Sequence, residues 1–198
     1  GDEVLIPAVC WSTSLWPIVQ NGLKPVFVDV ELDTFNISLD DLKKKISKKT
    51  KAVMCIHILG TSTNMQKLNQ IAKKYKLLII EDTCESLGAR YNNKYLGSFG
   101  EFGTFSFYYS HQITCGEGGM IVCKNKEDYN ILKTLRSHGW SRNTTFEKRF
   151  KKKYQKVDNR FMFVNSGYNL RPTDVQAAIG LNQLKRLEIF KKIRKENR

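Results

Sequence analysis

The sequence predicts an α/β domain, and three observations carry that expectation. Short apolar runs at residues 4–9, 25–30, 51–58 and 77–82 each have the length of a strand. Stretches with helical spacing separate them, as in alternating β and α units. The runs are nearly continuous in Ile, Leu and Val rather than alternating with polar residues, which suggests a sheet covered on both faces.

Taken in order, residues 4–9 open the domain as a buried strand, and Pro25-Val26-Phe27-Val28-Asp29-Val30 is the second. A helix is expected over residues 38–47, with Ser38 and Asp40 as cap candidates. Residues 51–58 form the third strand, residues 64–75 a second helix, and residues 77–82 a fourth strand ending in Glu81-Asp82. Beyond that point the rhythm changes. Residues 104–108 and 120–123 read as further strands flanking a glycine-rich turn, followed by a helix over 126–137. Residues 141–159 are polar, basic and without a clear period, so they read as a surface loop or mobile flap. Residues 174–195 close the chain as one amphipathic helix. No internal repeat, low-complexity tract or linker divides residues 1–198, which are expected to form one domain.

Composition narrows the class. Hydrophobic residues make up 41% and aromatics 11%, as in a globular protein rather than a disordered one. No apolar run approaches the roughly 20 residues that span a bilayer, and the first residues lack the basic and apolar zones of a signal peptide. No membrane partner is therefore expected. Five cysteines (Cys10, Cys55, Cys84, Cys115, Cys123) are an odd number set mostly in apolar runs, which argues for reduced thiols and a cytoplasmic setting. Without a C-x-x-C pair, no zinc site is expected. The net charge of +14 is spread along the chain, with a single dense cluster at Lys148-Arg149-Phe150-Lys151-Lys152-Lys153. That pattern fits a lysine-rich composition, or a loop attracting a phosphorylated small molecule, better than a nucleic-acid surface. The opening Gly1-Asp2-Glu3 enters at a strand edge, and the last residues stop inside a helical pattern. The chain therefore reads as a fragment, truncated at both ends.

Several residues could carry chemistry. Asp82 ends a strand, where α/β folds usually bind ligands, although from the strand alone it is equally a helix cap or a solvated end. His111 lies in Ser106-Phe107-Tyr108-Tyr109-Ser110-His111-Gln112-Ile113-Thr114-Cys115-Gly116-Glu117-Gly118-Gly119, and an imidazole moves protons near neutral pH. Ser106, beside that glycine-rich turn, can donate to a phosphate oxygen while backbone amides supply further donors. Read without context, Trp11 is a core tryptophan, Glu85 an exposed first-turn helix acid, and Asn169 a turn residue before the helix at Asp174. His57, at the end of an apolar run, is more often a satisfied buried histidine than a catalyst, and His138 lies in Arg136-Ser137-His138-Gly139-Trp140.

Read together, these segments resemble the pyridoxal-phosphate sugar aminotransferase family (DegT/DnrJ/EryC1/StrS) along essentially the whole chain. The run around His111 is similar to the family's S-F-x-x-x-K-x-x-x-x-G-E-G-G, with histidine in place of the lysine that holds the cofactor as a Schiff base. Glu81-Asp82-Thr83-Cys84-Glu85-Ser86-Leu87-Gly88-Ala89 is similar to E-D-x-A-x-x-x-G-A, residues 167–173 to G-x-N-x-R-x-T, and residues 136–139 to R-x-H-G. Because an imidazole has no primary amine, the resemblance implies the histidine-bearing dehydratase branch, performing elimination rather than ordinary amino transfer.

The resemblance further implies a fold-type I PLP-dependent large domain, with a mixed, mostly parallel sheet between helices and a small C-terminal domain lying outside this chain. The implied cofactor is pyridoxal 5'-phosphate, or pyridoxamine 5'-phosphate held without a covalent tie. In the roles carried over, Asp82 pairs with the ring nitrogen and Trp11 stacks on the ring. Glu85 faces the phenolic oxygen, and Ser106 binds phosphate. His111 is the base, His138 touches substrate, and Asn169 reaches the neighbouring subunit's cofactor phosphate in a homodimer with a shared active site. The implied partners are L-glutamate and a nucleotide-diphosphate sugar, a 4-keto-6-deoxyhexose with GDP-4-keto-6-deoxy-D-mannose as the expected case, and no nucleic acid. The C3 hydroxyl leaves and ammonia is released. The competing readings are a nucleotide-sugar aminotransferase with a non-lysine base and a non-catalytic sugar-nucleotide binder. A second histidine branch carries a two-iron cluster. Its first ligand position falls on Cys84, but the other three fall on Arg142, Thr144 and Lys152, so no cluster is expected. A family phosphate segment upstream of Gly1 is also missing, and the chain alone is expected to be inactive.

Overall fold

The computed structural model describes residues 1–197, in two compact units: residues 1–122 with 176–197, and Cys123–Val175. The first unit is built on strands β1 (Glu3–Pro7), β2 (Lys24–Val28), β3 (Thr50–Ile56), β4 (Leu78–Asp82), β7 (Phe102–Ser106) and β8 (Gly119–Cys123). Between β4 and β7 the short strands β5 (Arg90–Tyr91) and β6 (Lys94–Tyr95) form a separate antiparallel hairpin. The main sheet has the order β2-β1-β3-β4-β7-β8, and the pairings β1/β2, β1/β3, β3/β4 and β4/β7 are all parallel. The chain moves outward from β1 in one direction to β2 and in the other to β3. The carboxyl ends of β1 and β3 therefore diverge at a topological switch point, where sheets of this kind bind ligands.

Side-chain alternation along each strand divides the core into two layers. Leu5, Val53, Cys55 and Ile79 pack with Leu39 and Leu42 of α2 (Leu39–Lys45) and with Met65, Leu68 and Ile71 of α3 (Met65–Tyr75). Val4, Ile6 and Ala52 belong to a second cluster with Ile18 of α1 (Ser12–Gln20). Each fully buried aliphatic side chain contributes about 2 kcal/mol. The expectation of a sheet covered on both faces is met by these helices.

Cap chemistry sets the helix starts. Ser38 Oγ accepts from the Asp41 amide at 3.4 Å, whereas Asp40 pairs instead with Lys43 at 3.2 Å. Asn64 Oδ1 accepts from Lys67 N at 2.9 Å at the head of α3.

Helix α1 supplies a helical stretch between the first two strands, as expected, although Pro17 lies inside it. Two expectations are corrected. Residues 141–159 are not wholly loop, since α5 (Thr145–Lys153) occupies them. Its half-buried Phe146 and Phe150 lie one turn apart and Phe150 stacks on Tyr154 at 5.9 Å, a period hidden by the surrounding cations. The closing helix is two helices, α6 (Asp174–Leu184) and α7 (Leu187–Glu196), parted by a turn at residues 185–186 in which the Arg186 amide donates to the Gln183 carbonyl at 2.9 Å.

The second unit contains α4 (Lys126–Leu135), capped by Asn125, then α5 and a short 3-10 turn (Asn159–Phe161). Isolated bridges Ser137–Asn169 and Trp140–Phe163 tie its two irregular segments together. Among the described residues no helix is long and apolar enough to cross a membrane.

Candidate active site

Every paired strand of the main sheet from β2 to β7 runs parallel, so the segments after β1, β3, β4 and β7 emerge on one edge. Those segments carry Trp11, His57, Asp82 with Glu85, and Ser106 followed by His111. Asp82, half-buried at the last position of β4, accepts from Ser14 Oγ at 2.7 Å on Oδ2 and from the Cys84 amide at 3.1 Å on Oδ1. Trp11 caps α1 and is 75% exposed, so the core reading of this tryptophan is wrong: its ring stands open on the site edge.

Glu85 sits in a turn rather than in the first turn of a helix, and its carboxylate accepts from the Leu59 amide at 2.9 Å. The Gln112 side-chain amide donates to the Glu85 carbonyl, which ties the His111 loop to the turn after β4. His111 is half-buried, its ring edge-on to Tyr108 at 6.3 Å. Neither of its ring nitrogens is engaged by a described protein group. It lines a cavity of about 270 Å³ together with Tyr109, Gln112, Phe190 and Arg194. Ser106 Oγ accepts from the Tyr108 amide at 3.2 Å, which leaves its O–H free to donate.

Behind Asp82 lies a buried polar cluster that sequence reasoning did not single out. Glu81 is fully buried, and its carboxylate accepts from Gly97 N at 2.8 Å, Phe99 N at 2.6 Å, Gly100 N at 2.6 Å and His57 Nε2 at 3.1 Å. His57, also fully buried, donates its backbone amide to the Asp82 carbonyl at 3.1 Å, and its carbonyl accepts from Ser86 Oγ at 2.5 Å. The sequence reading of a satisfied buried histidine therefore holds for burial and for Nε2, but Nδ1 has no partner among the described residues. The turn fits against β7 because Gly103 lacks a side chain: a Cβ there would lie 2.0 Å from the Gly97 carbonyl.

Burial pushes the Glu81 carboxyl up, but the hydrogen bonds from His57 and from the Gly100 and Gly97 amides outweigh it and hold it below the ordinary carboxylate range. A carboxylate depressed in the fold adds stability above its unfolded titration and loses it as pH falls through the folded value. Glu81→Gln is therefore expected to cost about 3 kcal/mol at neutral pH and progressively less under acid, where the parent loses the same contribution. Urea melts at pH 7 and near pH 2 check this, and an equal loss at both would reject an ionised Glu81. Burial, reinforced by the Asp82 charge, pushes the Cys84 thiol up to about 12, so it offers no thiolate beside Asp82.

The second unit holds the remaining two predicted site residues. His138 adopts a left-handed conformation (φ 60°), donates its amide to the Tyr168 carbonyl at 2.8 Å, and lies 3.2 Å from the Arg171 guanidinium through Nε2. Asn169 is exposed and bridges Ser137 through backbone pairing. Lys133, Arg136, Arg142 and Arg171 line a cavity of about 290 Å³ around the Trp140 indole, over which both Arg142 and Arg171 sit within 6 Å of the ring centre. None of these four cations is a site residue in the sequence reading, although Arg136 and Arg171 are the arginines of the R-x-H-G and G-x-N-x-R-x-T segments; Lys133 and Arg142 belong to no motif.

An open, mostly parallel sheet with acid, imidazole, hydroxyl and aromatic groups on its carboxyl edge defines an α/β cofactor-binding domain. The chain belongs to the DegT/DnrJ/EryC1/StrS aminotransferase family, whose model matches residues 1–198. It is 42% identical over 199 residues to GDP-4-keto-6-deoxy-D-mannose 3-dehydratase of Escherichia coli O55:H7, covering 100% of this chain and 51% of that protein. A histidine-to-asparagine mutant of GDP-4-keto-6-deoxymannose-3-dehydratase with bound GDP-perosamine superposes with a TM-score of 0.90 at 42% identity, covering 100% of this chain and 52% of that one. The same enzyme with a trapped PLP-glutamate geminal diamine gives 0.86 at 41% identity, covering 95% and 49%. The fold is thus that of the PLP-dependent aminotransferases, and the chain spans about half the length of the curated relatives it matches.

Proposed function

We propose that the protein is a PLP-dependent sugar 3-dehydratase that removes the C3 hydroxyl from a nucleotide-linked 4-keto-6-deoxyhexose, with GDP-4-keto-6-deoxy-D-mannose as its substrate. The observation that supports this is His111: a half-buried imidazole in the loop after β7, whose ring nitrogens no described protein group engages, within the segment that resembles the family's lysine-bearing motif. The residues suit the cofactor. Asp82 offers a carboxylate to a protonated pyridine nitrogen, Trp11 an exposed ring face, Ser106 an unused O–H for phosphate, and Glu85 a carboxylate for the phenolic oxygen. When bound, the cofactor supplies an electron sink and an amine drawn from L-glutamate. Glutamate leaves as 2-oxoglutarate, the sugar loses one oxygen, and ammonia is released, so the atoms balance.

Within that chemistry His111 takes a proton from the cofactor's C4′ carbon and returns one to the departing C3 hydroxyl. Asp82 keeps the ring nitrogen protonated. Residues 1–198 belong to the PLP-binding large domain in this reading. The basic cavity around Trp140 supplies the positive charge that a nucleotide diphosphate requires, with His138 as a substrate contact. The enzyme works in the cytoplasm as a homodimer, with Asn169 completing the neighbouring subunit's phosphate site.

The test uses full-length protein with pyridoxal phosphate, glutamate and GDP-4-keto-6-deoxymannose, followed by the mass of the sugar product. Loss of one oxygen with free ammonia is expected. A product that retains nitrogen would make it an aminotransferase, and an unchanged sugar would reject this substrate.

A further inference from the structure

We propose that Ser14 is a positioning residue that locks the aromatic platform to the ring-nitrogen acid. The inference rests on the reading of Asp82 and Trp11 as cofactor contacts. Ser14 lies in the first turn of α1, only 7% exposed, and is engaged at two points. Its amide donates to the Trp11 carbonyl at 3.0 Å, closing the turn that presents the indole. Its hydroxyl donates to Asp82 Oδ2 at 2.7 Å, sixty-eight residues away in sequence. One small side chain thus joins the segment after β1 to the end of β4.

Asp82 is otherwise fixed from behind. The Cys84 amide holds Oδ1, and the His57 amide holds its carbonyl. Those bonds set the strand end, and the Cys84 thiol also lies against the carboxylate, but all of these come from the β4 turn and its neighbour β3, whereas the Ser14 hydroxyl on Oδ2 comes from the segment after β1. An ionised carboxylate has about four acceptor sites, so these donors still leave a lone pair for a pyridinium N–H. The tie matters more because Pro17 has no N–H and so cannot brace the Thr13 carbonyl within α1. Without the hydroxyl, the acid at the ring edge and the indole at the ring face lose their common anchor.

The experiment compares full-length parent, Ser14→Ala and Ser14→Thr, using pyridoxamine 5'-phosphate labelled with ¹⁵N in the ring. Affinity is read from tryptophan fluorescence quenching, and ring-nitrogen protonation from the ¹⁵N shift. The expected result is about tenfold weaker binding with an altered ¹⁵N shift in Ser14→Ala, with Ser14→Thr restoring both because the hydroxyl returns. Equal affinity and an unchanged shift in Ser14→Ala would overturn the inference while leaving the cofactor reading intact. A threonine variant as weak as the alanine variant would also overturn it, because the loss would then come from packing. A parent that binds no pyridoxamine phosphate removes the cofactor reading and this inference with it.

Discussion

Asparagine in place of His111 is expected to lower dehydration by the full-length protein about 10³-fold, because the amide cannot shuttle a proton at neutral pH. Cofactor affinity should hold within a factor of two. No described protein group engages the His111 ring nitrogens, and the loop is tied down by Gln112 rather than by the imidazole. The informative pair of measurements is therefore the single-turnover rate of oxygen loss and the dissociation constant for pyridoxamine phosphate. A rate that survives the substitution would move the base elsewhere. Lysine at the same position supplies the missing primary amine and should restore Schiff-base absorbance with pyridoxal phosphate. Absence of that absorbance would show that His111 does not face the cofactor's reactive carbon.

Asp82→Asn is expected to be comparably severe, at about 10³-fold in rate, and in addition to weaken cofactor binding. The cause differs. A neutral amide cannot stabilise a protonated ring nitrogen, and the donors already aimed at the carboxylate, Ser14 Oγ and the Cys84 amide, would face an amide N–H₂ on one side. The ¹⁵N shift of bound cofactor should move towards the unprotonated form. A variant that retains the parent shift would mean that another group protonates the ring. Separating the two substitutions is simple: His111→Asn changes rate alone, whereas Asp82→Asn changes rate, affinity and ring protonation together.

All six strands of the main sheet lie within a few residues of their expected places; β1, β3 and β4 were legible because buried parallel strands are written as runs of Ile, Leu and Val, whereas β7 and β8 were marked by the glycine-rich turn between them. The helices show where this kind of reading stops. In α5 a run of cations conceals two phenylalanines one turn apart, and in α1 a proline argues against the helix that forms anyway. The break between α6 and α7, a turn at residues 185–186, has no glycine or proline to announce it.

At the site, the residues that belong to long ordered motifs were recognisable, and the residues that support them were not. Ser14 is one hydroxyl among several near Trp11, and its partner lies far along the chain, so only the folded sheet brings them together. Glu81 was visible as half of an acidic pair. The two-residue alternation of a strand sends it into the core and Asp82 to the site, but what it binds there depends on the turn at Gly97 to Gly100. Arg136, Arg142 and Arg171 converge on Trp140 through backbone bridges that no spacing rule encodes.

Parallel strands cannot meet through a hairpin, so β1, β4 and β7 reach their places only through long excursions of chain. A molecule touching Trp11, Asp82 and Ser106 at once would act as a rivet through the ends of all three. It binds no partly assembled sheet in which one strand is missing, and at a hundred times its dissociation constant it adds about 2.7 kcal/mol to the folded state. For this protein, saturation with cofactor and resistance to unfolding are two readings of one equilibrium.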